Sequence, residues 1–246
     1  EEYPCQLSTI ARQGSGSACR SLYGGFVAWR QGTPPTWTDS KAEPIVDETY
    51  WPEIRALILV VSAEKKDTSS TTGMSTSVDT SELLKYRATH VVPARMKAIE
   101  QAIRNKDFET FGRITMQDSN QFHATCLDTY PPIFYMNDIS RSVIAIVTCY
   151  NAFHGEIRAA YTFDAGPNAV LYCLEQHVVE IGALMLHYYP ENGTDYVNNR
   201  SYCADVQKFE LSTDLLKACD ATGRTPKAGD VQKCYYTKSG PGPLKV

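Results

Sequence analysis

The sequence predicts an α+β fold, in which helices pack on sheets in a layered sandwich. Three observations lead there. Leu57-Ile58-Leu59-Val60-Val61 is a wholly apolar run, as expected of a buried central strand. Four stretches between Val92 and Met185 carry apolar residues at helical spacing. Two short strand-like runs, Arg158–Phe163 and Ala169–Cys173, flank a tight turn, and another, Lys233–Lys238, comes near the end.

In chain order, Leu7, Ile10 and Ala11 mark a short helix that stops at Gly14. Ser17 can cap a second short helix, ended by Gly24-Gly25. The small residues before it leave backbone N–H groups open, two serines add donors, and Arg20 lies one turn in. This stretch reads either as a site for a phosphate or carboxylate or as a Gly/Ser linker. It is not a Walker loop, because G-x-x-x-x-G-K-[ST] is absent. Phe26–Arg30 reads as a strand. Gln31–Pro52, rich in Pro, Thr, Asp and Trp, reads as a surface connection.

After the apolar strand, the charges Glu64-Lys65-Lys66-Asp67 read as a solvated strand end. Thr68–Met74 reads as a polar, hydroxyl-rich loop. The four helices follow. Val92, Met96, Ile99 and Ile103 mark the first. Phe108, Phe111, Thr115, Asp118 and Phe122 mark the second, with Asp107 near its start. Ile139, Val143, Ile146, Val147 and Tyr150 mark the third, and Leu174, Val178, Ile181 and Met185 the fourth. The second is unusually polar from Met116 to Asp128. Its His123 and Cys126 are spaced i,i+3, but two ligands do not make a zinc site, and His123 reads as a hydrogen-bonded core residue. Tyr188–Gly229 reads as irregular, loosely helical around Leu211–Ala218. Between the two strands, Asp164-Ala165-Gly166-Pro167 either uses its acid only to shape the turn or mounts a carboxylate on a rigid lip.

Composition bounds the class. The 246 residues are 43% hydrophobic and 21% charged, ordinary for a globular protein, and enough for one large domain or two smaller ones. A net charge of −4 calls for neither nucleic acid nor an anionic membrane. No apolar run approaches the ~20 residues of a membrane helix, and no signal peptide opens the chain. The 8 cysteines are dispersed, as expected of reduced thiols inside a cell. The sequons at Asn192 and Asn199 then read as unused. The first residue is Glu, and the chain reads as a fragment or processed product.

Three segments resemble one family. Gly14–Phe26 (GSGSACRSLYGGF), Ser119–Asp128 (SNQFHATCLD) and Ala160–Ala169 (AYTFDAGPNA) resemble eukaryotic-type diphosphomevalonate decarboxylases, in the family's order and spacing. The likeness runs from about Leu7 to Tyr189. It implies the GHMP kinase fold: residues 1–52 as part of an N-terminal α/β domain, 53–230 as a ferredoxin-like domain, and 231–246 as a final strand returning to the first. It implies ATP-dependent decarboxylation of mevalonate 5-diphosphate, with Mg²⁺, in a cytoplasmic homodimer.

The resemblance also assigns roles. Asp164 is the catalytic acidic residue near the 3-hydroxyl, and Arg20 holds the substrate carboxylate. Ser15, Gly16, Ser17, Ala18 and Cys19 line the substrate, and Ser70 and Thr71 form a second contact. The family's Asn-x-x-x-x-Lys-Tyr-Trp-Gly-Lys-type segment and its Gly/Ser/Ala-rich ATP phosphate loop do not occur in this sequence. The 246 residues alone are therefore expected to be inactive. The alternative is an inactive relative acting as a binding or dimerisation module.

Overall fold

A computed structural model describes residues 5–61, 68–191, 193 and 196–243. The charges at Glu64-Lys65-Lys66-Asp67 and the sequon at Asn192 lie outside the described residues. The chain divides into two compact units, Glu1–Pro52 with Lys238–Val246, and Glu53–Thr237.

In the first unit, α1 (Gln6–Gly14) and α2 (Gly16–Ser21) precede β1 (Phe26–Arg30) and β2 (Lys41–Val46). The two strands form an antiparallel ribbon. β2 corrects the reading of Gln31–Pro52 as a surface connection. Pro44 and the charges of Lys41 and Glu43 hid the strand, but Ala42 is fully buried and takes a bond from its N–H to Ser8 Oγ at 2.7 Å. The cap of α2 is Ser15, not Ser17. Ser15 has extended backbone and its Oγ accepts Ala18 N–H, whereas Ser17 is already helical.

The second unit is built on a four-stranded antiparallel sheet in the order β4-β5-β3-β6, from β3 (Ile54–Val60), β4 (Ala159–Phe163), β5 (Ala169–Leu174) and β6 (Lys233–Thr237). β3 lies inside the sheet, as its unbroken apolar run predicts. The closing strand corrects an expectation. Expected to return to the first unit, Lys233–Thr237 pairs with β3, and only residues from Lys238 belong to the first unit.

The helices between β3 and β4 are α3 (Ser70–Thr80), α4 (Glu82–Tyr86), α5 (Val92–Asn105), α6 (Phe108–Asp128) and α7 (Asp138–His154). A π-turn at Arg87–Val91 joins α4 to α5. α8 (Glu175–Tyr188), α9 (Arg200–Lys208) and α10 (Thr213–Asp220) follow β5. α3 begins inside the loop expected at Thr68–Met74, and α9 lies in the stretch expected to be irregular. α3 escapes a periodicity search because its buried residues are Gly73 and Ser77, which carry no hydrophobic signal.

The main core joins one sheet face (Leu57, Leu59, Tyr161, Leu171) to α7 (Val143, Ile146, Val147) and α8 (Val178, Ile181, Leu184). α6 meets residues that alternate with these. A Cβ on Gly112 would come within 3.3 Å of Ala160 Cβ, and the Phe111 ring meets Tyr172 edge-on at 5.6 Å. Part of the unusual polarity of α6 is explained by Asp118, which is gripped by both Arg87 Nη atoms at 2.7 and 2.8 Å and by Arg95 at 3.0 Å. Burial by itself would raise its pKa, but the two guanidiniums hold it below the usual carboxylate range.

Candidate active site

The turn carrying Asp164 is fixed from several sides. Within it, Gly166 N–H donates to Asp164 O at 2.8 Å. Phe163, the last residue of edge strand β4, sends its N–H to Ser119 Oγ at 3.0 Å, and its carbonyl meets His123 Nε2 at 3.3 Å. Ser119 and His123 are i,i+4, so one face of α6 satisfies both backbone groups. Beyond the turn, Ser140 Oγ donates to Pro167 O at 2.9 Å, and Asn168 Oδ1 accepts Val61 N–H at 2.9 Å. Asp164 itself is exposed at the tip. An exposed carboxylate on so constrained a mount keeps its position without losing access to a ligand.

His123 is buried, only 5% exposed. Burial lowers its pKa, and the Phe163 carbonyl and the Asp164 charge offset this only in part. Beside it Cys126, Ile133 and Tyr135 form a small apolar cluster, joined by Phe122 and by Ala165 of the turn. Burial pushes the Cys126 thiol up to about 11. Burial, then the charges of Cys126 and Asp164, raise the Tyr135 phenol, so it stays a hydrogen-bond donor. Its hydroxyl donates to Ser69 O at 3.3 Å. Ser69 caps α3 by accepting Thr72 N–H at 3.1 Å, and Ser70 and Thr71 stand exposed in that first turn. The second unit therefore brings three of the sequence's features into one neighbourhood: the Asp164 turn, the polar helix face around His123, and Ser70-Thr71.

The remaining candidates lie in the first unit. Ser15 Oγ is 3.1 Å from Ser17 Oγ. Arg20 is exposed, donates from Nη1 to Gly16 O at 2.9 Å, and stands over the Trp29 ring at 5.8 Å. A Cβ on Gly16 would fall 2.5 Å from Trp29 Cζ3, so only glycine lets α2 lie against that ring. Cys19 is fully buried, its Sγ 3.1 Å from Gly16 O, so it faces the interior while Ala18 carries the cap bond. A guanidinium has five N–H donors, and one bond to Gly16 leaves a fork that can grip a carboxylate. Arg20 belongs to the first unit and Asp164 to the second.

The residues that sequence reading left unassigned are Ser119, Ser140, Asn168 and Tyr135. Ser119 and Asn168 sat inside segments singled out for their likeness to the family, but nothing in their spacing revealed that they hold the turn. Tyr135 lay in a stretch with no periodicity.

Comparison with known proteins gives a consistent picture. The family model for the mevalonate 5-diphosphate decarboxylase C-terminal domain matches residues 56–246, and that for the diphosphomevalonate decarboxylase-like N-terminal domain matches residues 1–42. A diphosphomevalonate decarboxylase of Aspergillus fumigatus is 63% identical over 244 residues, 99% of this chain and 60% of that protein. The solved mevalonate diphosphate decarboxylase from Trypanosoma brucei superposes with a TM-score of 0.89 at 36% identity, over 98% of this chain and 63% of that one. An MDDEF structure in complex with MVAPP, AMPPCP and magnesium superposes with a TM-score of 0.68 at 25% identity, over 96% of this chain and 58% of that one. The chain spans about 60% of the length of the curated relatives from A. fumigatus and Danio rerio that it matches.

Proposed function

This chain belongs to the diphosphomevalonate decarboxylase family, and from that premise we propose that it is part of an enzyme converting mevalonate 5-diphosphate and ATP to isopentenyl diphosphate, carbon dioxide, ADP and phosphate. The observation that carries the reading is the mount of Asp164, an exposed carboxylate on a turn tied at Phe163, Pro167 and Asn168.

A tertiary alcohol is a poor nucleophile. A carboxylate within hydrogen-bond reach orients it, or takes its proton, as it attacks the γ-phosphoryl group of ATP. The new phosphate ester then leaves with its bonding electrons, and positive charge builds at the tertiary carbon. Asp164 stabilises that charge. The C–C bond to the carboxylate breaks, its electrons form the new double bond, and carbon dioxide departs. Arg20 holds the carboxylate through its planar fork until that step. Ser15, Gly16, Ser17, Ala18 and the backbone of Cys19 line the substrate, and Ser70 and Thr71 contact it. Mg²⁺ takes oxygen ligands and travels with nucleotide phosphates. The Asp164 carboxylate and the hydroxyls of Ser70 and Thr71 are oxygen donors that would suit such an ion, and it would supply neutralisation of phosphate charge.

The test is a fusion of this chain to the N-terminal segment of the A. fumigatus relative, assayed with ATP, Mg²⁺ and mevalonate 5-diphosphate. The fusion is expected to release phosphate and carbon dioxide in equal amounts. The 246 residues alone are expected to release neither, since they carry no Gly/Ser-rich ATP loop. A folded fusion with no turnover, beside an active A. fumigatus control, overturns the reading.

A further inference from the structure

We infer that Tyr135 is a positioning residue for substrate binding, whose hydroxyl and ring fix where the first turn of α3 presents Ser70 and Thr71. The inference rests on the proposed role of those two residues as a substrate contact.

The two ends of α3 are held differently. Near its C-terminal end, Ser77 Oγ and Thr129 Oγ1 are 2.7 Å apart, Thr80 Oγ1 accepts Tyr130 N–H at 3.0 Å, and Ser81 Oγ donates to Asp128 at 2.7 Å. These bonds tie that end to the end of α6. At the N-terminal end, residues 69–72 are exposed, and among the described residues the tie to another part of the fold is the Tyr135 hydroxyl on Ser69 O. That same carbonyl accepts Gly73 N–H at 2.9 Å, the first helical bond of α3. The phenol therefore acts where the helix starts.

The ring is held in turn. It lies parallel to Phe122 of α6, with centroids 6.4 Å apart and planes 2° apart, and is packed with Cys126 and Ile133. Ile133 is anchored by its N–H to Cys126 O at 2.9 Å. Tyr135 thus transmits the place of α6 to the start of α3. Gly73 shows how close the fit is: a Cβ there would lie 2.3 Å from the Tyr135 hydroxyl oxygen, but 3.4 Å from Cζ and from Ile133 Cδ1. An alanine at 73 clashes with that oxygen alone.

The Asp164 turn has its own ties to Ser119, His123, Ser140 and Asn168, none of them through the Tyr135 hydroxyl. Loosening α3 should therefore weaken substrate binding and spare the chemical step. This separates a positioning role from a general loss of structure.

The test uses Tyr135→Phe, Gly73→Ala and the double variant. In the active fusion, Tyr135→Phe is expected to raise KM for mevalonate 5-diphosphate about fivefold, the scale of one neutral hydrogen bond, with kcat within twofold. Gly73→Ala should raise KM further. Adding Tyr135→Phe to Gly73→Ala should bring KM back toward the Tyr135→Phe value, because the clashing oxygen is gone. In the 246-residue chain, Tyr135→Phe should speed amide exchange at Thr72 and Gly73 about fivefold and leave β3 and β5 unchanged. An unchanged KM, a fall in kcat equal to the rise in KM, or a double variant worse than Gly73→Ala overturns the inference. If Gly73→Ala does not fold, Tyr135→Phe decides by itself. A parent fusion without turnover overturns the functional reading and the substrate half of this inference with it, and the exchange measurement then decides whether Tyr135 holds α3.

Discussion

The two proposed reactive side chains sit on unlike mounts. Asp164 stands on a turn whose neighbours are bound by side chains from α6, from the first turn of α7, and by the link from Asn168 to Val61. Arg20 stands on a six-residue helix held, among the described residues, by the Ser15 cap and the Arg20 bond to Gly16, with the ring of Trp29 beneath the guanidinium. A helix so short owes little to its own propagation. The difference matches the tasks proposed for them. A group that must meet a developing charge needs a fixed position, because reorganising at the moment of reaction costs rate. A group that holds a carboxylate and then must let carbon dioxide go is better served by a grip that can relax.

The largest expected effect tests the fixed side. Asp164→Asn in the active fusion keeps the shape of the turn and removes the base and the charge. It should lower kcat by roughly 10²–10⁴-fold, the range for a positioned acid or base, with KM changed little. Steady-state kinetics with phosphate release as the readout checks this. Retained turnover would return Asp164 to the role of an ordinary turn residue, and the contrast between the two mounts would lose its meaning.

The next effect compares the mounts through their stability. Ser119→Ala leaves the Phe163 N–H buried without an acceptor, which costs about 1–3 kcal/mol. Ser15→Ala removes an exposed cap and costs about 0.5–1 kcal/mol. Urea unfolding of the two variants should therefore rank Ser119→Ala well below Ser15→Ala. Equal losses would mean that the Asp164 turn is no more tightly held than α2.

The sequence made the frame of this comparison legible and left out its joints. Strands with strong apolar or alternating patterns, such as β1, β3 and β5, and helices with a hydrophobic stripe, such as α7 and α8, could be read because burial of apolar area writes a periodic signal. α3 could not, since its buried side is Gly73 and Ser77, and β2 could not, since its buried residue is a single alanine among charges and a proline. Of the candidate site, the acid, the arginine and the two serine-rich segments were legible as chemistry. The contacts that hold them were not. Ser119 serves a backbone N–H 44 positions away, and Tyr135 a carbonyl 66 positions away. Pairings at such separation leave no local pattern, because each residue is an ordinary choice in its own helix or loop.

The smallest effect probes His123, the second support of the Asp164 turn. Burial holds its pKa below the ordinary value of 6.5 in the folded chain, and the unfolded chain returns it to that value. Between the two, the unfolded state binds more protons, so stability rises with pH there. The contribution of neutral His123 is fully present above about pH 6.5 and is lost progressively as pH falls toward the folded-state value. The slope cannot exceed about 1.4 kcal/mol per pH unit, one proton's worth. His123→Gln keeps a polar group near the Phe163 carbonyl but does not titrate. Urea unfolding at pH 7.5, 6.5 and 5.5 should therefore show a stability loss in the parent chain that is smaller in His123→Gln. Equal slopes would mean that His123 takes up its proton without disturbing the turn. Since Ser119 holds the N–H of the same residue, the support from α6 would then rest on Ser119 alone, beside the ties of Ser140 and Asn168 on the far side of the turn, and the contrast with α2 would narrow by one hydrogen bond.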